Sequence, residues 1–189
     1  EKETKMEIIR AKTAGFCFGV DRAVKLTDQL ADAGKKVATL GPLIHNPQCV
    51  ARLEAKGVVT ANSIDQLPSG YEVVIRSHGV DSATYRLLAQ RGFTVHDATC
   101  PFVAKIHRIA QKAGQEGALL LVAGDKTHPE VEGIVGSTTG EVFVFADLDE
   151  LEAFSTPQII TKPVFFFFLT TFQVTKWSKC VIFLKKFYS

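Results

Sequence analysis

Residues 94–103, Thr94-Val95-His96-Asp97-Ala98-Thr99-Cys100-Pro101-Phe102-Val103, pass from a short β-like run to a helical one through a single cysteine. Pro101 suits the first turn of a helix, because its missing N–H would have no intrahelical partner there. Thr94–Asp97 therefore reads as a strand. Pro101–Gln115 reads as a helix with Val103, Ile106, Ala110 and Ala113 on its inner side. Cys100 stands at the junction.

The same alternation extends in both directions. Upstream, strands are expected at Glu7–Ala11, Lys36–Leu40, Val58–Thr60 and Glu72–Arg76, and helices at Val20–Ala33, Pro47–Lys56 and Ser82–Arg91. Gly34, Gly57 and Gly92 act as helix stops. Downstream, Ala118–Ala123 is an unbroken apolar run, as in a strand buried on both faces. Pro129–Val135 and Leu148–Phe154 read as short helices, Glu141–Phe145 and Val164–Leu169 as strands, and Val174–Phe187 as a last helix. This order predicts an α/β protein of two related lobes with mostly parallel sheets, 7–97 and 98–189. The tail is the least regular part, with four consecutive phenylalanines at 165–168.

The chain has 189 residues, of which 46% are hydrophobic, enough for a substantial core. Its 22 basic and 20 acidic residues give a net charge of +2, which argues against a general nucleic-acid binder. Four scattered cysteines without a Cys-x-x-Cys pair exclude a disulfide framework and a zinc ribbon. No apolar run approaches the ~20 residues of a membrane helix, and the charged start is not a signal peptide. A cytoplasmic protein with reduced thiols is expected, with Met6 as its native start.

Ligands of open α/β sheets bind beyond the carboxyl ends of the strands. His45, His78, Cys100 and His128 all fall there, and Cys17 lies in a similar turn, Gly15-Phe16-Cys17-Phe18-Gly19. Helix starts favour thiolates and other anions. That convergence points to a metal or cluster site with an anionic ligand beside it. Each residue taken alone has a plainer reading. A lone cysteine there can be a small buried hydrophobe, and a lone histidine a solvated cap. An acidic residue such as Glu130, in the first turn of its helix, can serve the dipole or donate a proton. His96 and His107 read as structural, and Cys49 and Cys180 as packing residues.

Five motifs in order, 15–23, 41–46, 76–80, 97–103 and 128–133, closely resemble the 4-hydroxy-3-methylbut-2-enyl diphosphate reductase (IspH/LytB) family. The resemblance implies a three-lobed architecture and a terminal step of the non-mevalonate isoprenoid pathway. There an allylic diphosphate loses its hydroxyl reductively to give isopentenyl and dimethylallyl diphosphates. It implies a 4Fe-4S cluster held by three cysteines, two of them Cys17 and Cys100. It also implies diphosphate binding by His45, His78 and His128, proton delivery by Glu130, and positioning of the substrate hydroxyl by Thr170. Ferredoxin or flavodoxin is the implied electron donor, with no nucleic-acid or membrane partner. The family's third cysteine belongs to a third lobe, which this chain is expected to lack. Leu169 stands where the family usually has glutamine. Two other readings follow: a cluster-free, inactive diphosphate-binding fragment, and a thiol redox protein using Cys17 and Cys100.

Overall fold

The computed structural model describes residues 8–9, 11–154, 161–169 and 172–187. Two parallel sheets are built from the alternating elements. The first contains β1 (Val37–Leu40), β2 (Val59–Ala61), β3 (Glu72–Ile75) and β4 (Val95–Asp97) in the order β2-β1-β3-β4. Helices α1 (Phe18–Asp32), α2 (Pro47–Glu54) and α3 (Ser82–Gln90) connect and cover them. The second sheet has the order β6-β5-β7, from β5 (Leu119–Ala123), β6 (Val142–Phe145) and β7 (Val164–Phe168). With it come α4 (Pro101–Gln115), α5 (Pro129–Val135), α6 (Leu148–Ala153) and α7 (Val174–Leu184). Every strand pair described is parallel.

Because successive side chains of a strand point to opposite faces, each sheet feeds a core on either side. In β5, Leu119, Leu121 and Ala123 enter one core with Phe145, Leu151, Cys180 and Leu184. Leu120 and Val122 enter the other, with Ala110, Val131, Ile134 and Leu169. The phenylalanine run follows the same rule. Phe166 joins the first core, while Phe165 and Phe167 join the second. A run that looks irregular in its chemistry is thus an edge strand of the second sheet with aromatic residues on both faces. The first lobe divides likewise: Val37 and Val74 face one core, Ala38, Val73 and Ile75 the other.

The expected first strand is a correction. Ile8, Ile9 and Ala11 lie in no strand, and Ile8 and Ile9 are 88% and 83% exposed. β2 and β4 are the edge strands of the first sheet, and neither pairs with this segment. Residues 7 and 10 of that expectation lie outside the described residues. Among the described residues, no helix is long and apolar enough to cross a membrane.

Glycines let the lobes meet closely. A Cβ on Gly79, whose φ is +73°, would stand 2.9 Å from Cε1 of His107 on α4. A Cβ on Gly133 of α5 would stand 3.0 Å from Nε2 of the same imidazole and 3.4 Å from the carbonyl oxygen of His78. His107 therefore sits where two glycine surfaces from different lobes converge, beneath the turn that carries His78.

Candidate functional site

Parallel strands put their following turns on one edge, and four helices begin there beside the candidate residues. Cys17 is the N-cap of α1 and Cys100 the N-cap of α4; neither side chain makes a capping hydrogen bond. Asn46, next to His45, caps α2 by accepting from the Cys49 N–H at 3.0 Å. His128 caps α5, its Nδ1 accepting from the Glu130 N–H at 3.2 Å. In the neutral ring this bond places the proton on Nε2.

The two thiol-bearing turns are packed together. A Cβ on Gly19 would lie 2.8 Å from both Cβ and Sγ of Cys100, so only glycine admits Cys100 against the first turn of α1. Arg22 clamps the same junction, donating to the carbonyl oxygens of Thr99 at 2.9 Å and Asp97 at 3.1 Å. The Cys100 N–H donates to Ser77 O at 2.9 Å, which ties this turn to the one carrying His78. Cys17 is exposed and Cys100 half-buried, and both are free thiols.

The three turn histidines come together. His45 and His78 have ring centroids 5.4 Å apart, and His78 and His128 are 5.8 Å apart and nearly perpendicular. His78 is the central ring. Burial, Arg76 and the two flanking imidazoles push its pKa down to about 4, so it is neutral at pH 7 in the free protein. Its Nδ1 is buried without a hydrogen-bond partner. Glu130 is half-buried beside them. Burial raises its pKa above the usual carboxylate range, with His128 opposing. A carboxyl that holds its proton longer is suited to donate one.

Among the described residues, no three His, Cys, Asp or Glu side chains are grouped to hold a metal ion. Cys17 and Cys100 fit an iron–sulfur cluster as two thiol ligands whose sulfurs are not spent on capping. Thr170 lies outside the described residues. Arg22 and Arg76 were given no role by sequence reasoning, although both stand inside the quoted motifs. Their signal was a basic residue beside a turn expected to meet an anion. Cys49 and Cys180 are buried packing residues, as expected. His96 bonds Glu72 through Nε2 at 2.7 Å, a structural pairing near the start of β3.

His78 makes stability pH-dependent. Its folded pKa lies below the unfolded one, so the unfolded chain takes up a proton first as pH falls. Stability is therefore lost between about pH 6.5 and pH 4. His78→Gln removes this group, and urea-midpoint measurements across that range are expected to show a shallower fall than in the parent. An unchanged slope would mean that His78 is freely protonated in the folded chain.

Fold and site together define a parallel α/β protein with two sheets, whose shared strand-end crest gathers thiols, imidazoles and one protonatable carboxyl. The chain belongs to the LytB protein family, whose model matches residues 8–189. It is 43% identical over 147 residues to a protein of Citrifermentans bemidjiense named 4-hydroxy-3-methylbut-2-enyl diphosphate reductase, covering 78% of this chain and 52% of that one. A Clostridioides difficile protein of the same name is 42% identical over 148 residues, covering 78% and 53%. The chain thus spans about half the length of these curated relatives. Among solved structures, one of (E)-4-hydroxy-3-methyl-but-2-enyl diphosphate reductase superposes with a TM-score of 0.81 at 35% identity, over 95% of this chain and 64% of that one. The Plasmodium falciparum reductase structure, at 22% identity, shares the fold with a TM-score of 0.84, over 94% and 55%.

Proposed function

We propose that this chain comprises the first two lobes, 7–97 and 98–189, of a 4-hydroxy-3-methylbut-2-enyl diphosphate reductase. The observation that carries this reading is the convergence of His45, His78 and His128 beside the Cys100 turn. His45, His78 and His128 bind the diphosphate of the allylic substrate. Because His78 is neutral when free, it donates a hydrogen bond, and a bound anion raises its proton affinity. Cys17 and Cys100 supply two thiolate ligands to a 4Fe-4S cluster, and the third comes from outside the chain, from the third lobe. When bound, the cluster supplies electrons singly and an open iron for the departing oxygen. Glu130 delivers the proton that lets the hydroxyl leave as water, and Thr170 orients that hydroxyl. Two electrons and two protons convert the alcohol into alkene and water. The electrons come from a ferredoxin or flavodoxin.

A second reading has its own support. The absence of a third metal-directed side chain beside the two thiols, among the described residues, favours a cluster-free fragment that binds diphosphate without turnover. Iron and acid-labile sulfide per chain after anaerobic reconstitution separate the two. About four of each supports the cluster-bearing reading. Negligible iron with retained pyrophosphate binding supports the fragment. Negligible iron and no pyrophosphate binding would overturn both.

A further inference from the structure

Among the described residues, Arg76 is a cation without a hydrogen-bond or ion-pair partner. It follows β3, two residues before His78, and its side chain runs back against Gly41, where a Cβ would stand 3.0 Å from Nη1. Gly41 has φ +76°, a conformation that favours glycine for a second reason. The Arg76 Nε is buried with no hydrogen-bond partner. Among the described residues, no side chain or carbonyl accepts from this guanidinium at hydrogen-bond distance, and no carboxylate forms an ion pair with it. Even exposed arginines of the chain find partners: Arg22 holds two carbonyls, and Arg52 grips Asp28 with both nitrogens at 2.8 and 2.7 Å. A half-buried guanidinium left unpaired is costly, and five N–H donors in a planar fork match an oxyanion.

The group lines a cleft of about 310 Å³ between the lobes, with Gly41, Asn62, Gly79, Thr84 and Pro129 around it. Gly79 and Pro129 directly follow His78 and His128, so the cleft adjoins the imidazole trio. Two carboxylates also face it. Asp81 spends Oδ1 on the Thr84 N–H at 2.6 Å, capping α3. Glu132, on α5, is exposed and acts on Arg76 only through its field. Neither forms an ion pair with the guanidinium. Asn62 and Thr84 are neutral hydrogen-bonding groups at the same wall.

We propose that Arg76 is a further anion-binding residue of this site, taking the terminal phosphate oxygens of the diphosphate held by His45, His78 and His128. This rests on the diphosphate-binding reading above. Unlike His78, an arginine is charged at every working pH. It therefore supplies a fixed positive charge where the central imidazole supplies none.

Calorimetric titration of the full chain with inorganic pyrophosphate tests this, comparing the parent with Arg76→Gln, Arg76→Lys and His128→Ala. Losing one charge-assisted pair is expected to weaken binding by about tenfold or more in Arg76→Gln. Arg76→Lys is expected to recover part of that loss, because a point charge replaces the fork. A direct readout covers the case in which Arg76→Gln does not fold. The Arg76 Nε–H NMR signal of the parent chain, assigned by its loss in Arg76→Lys, should move on adding pyrophosphate. Parental affinity in Arg76→Gln, or an unmoved Nε–H signal, with weakened binding in His128→Ala, would overturn the role of Arg76 and leave the imidazole reading standing. Failure of the parent chain to bind pyrophosphate would overturn both.

Discussion

Cys100→Ser is expected to leave the reconstituted chain with background iron and no visible charge-transfer absorption, measured beside the parent. A serine hydroxyl is a poor ligand for iron–sulfur clusters, which are held by thiolates. The geometry around Cys100 makes the test selective. Its N–H bond to Ser77 O, the approach of Gly19 to its Cβ and the Arg22 clamp on Thr99 and Asp97 all act on groups the substitution retains. The turn should therefore persist, and circular dichroism should match the parent. Parental iron content in Cys100→Ser would remove this residue from the ligand set. Parental chain lacking iron altogether would instead favour the fragment reading, with Cys100→Ser then changing nothing.

Phe145→Ala should produce the largest loss of stability, about 3–5 kcal/mol, read as a lower urea midpoint with an unchanged slope. Phe145 is the largest fully buried side chain of the molecule's described part. It ends β6, opposite Ala123 in the parallel register, and its ring stacks at 6.1 Å on Phe143 and 6.0 Å on Phe166. Removing it empties a volume between the sheet and helices α6 and α7, and a close-packed interior fills such a gap only partly. Phe168 provides the contrast within the same aromatic set. Its side chain is 48% exposed at the end of β7, so Phe168→Ala is expected to cost far less. Equal losses for the two would mean that the core around Phe145 is not packed as described.

Much of this architecture can be read from local pattern. Pro101, Pro129 and Pro47 announce three helix starts, and each begins a helix in the structure. Ala118–Ala123 is apolar without a break and becomes the central strand of its sheet. Because sequential strands of a sheet are parallel, their following turns share one edge, which brings His45 and His78 within reach of each other, while His128 joins them from a turn of the second sheet. Other features escaped such reading for definite reasons. Ile8 and Ile9 look like strand residues, yet β propensity acts only in the context of a neighbouring strand, and neither residue docks on an edge of the first sheet. The phenylalanine run looked irregular because its order depends on two cores meeting either face of β7, which no local pattern records.

Arg22 and Arg76 mark the same boundary more sharply. Both lie in motifs whose neighbours were expected to meet an anion, and their charge is plain in the chain. One nevertheless folds across to hold carbonyls of the β4–α4 turn, while the other lies in the cleft between lobes without a hydrogen-bond partner among the described residues. Order of elements, their hydrophobic faces and the residue types at each strand end are properties of neighbours along the chain, so periodicity and turn chemistry suffice for them. The partner of a long flexible side chain, the neutral state of His78 and the close approach of Gly19 to Cys100 depend on groups distant in sequence. Burial and electrostatic fields arise only when those groups pack together.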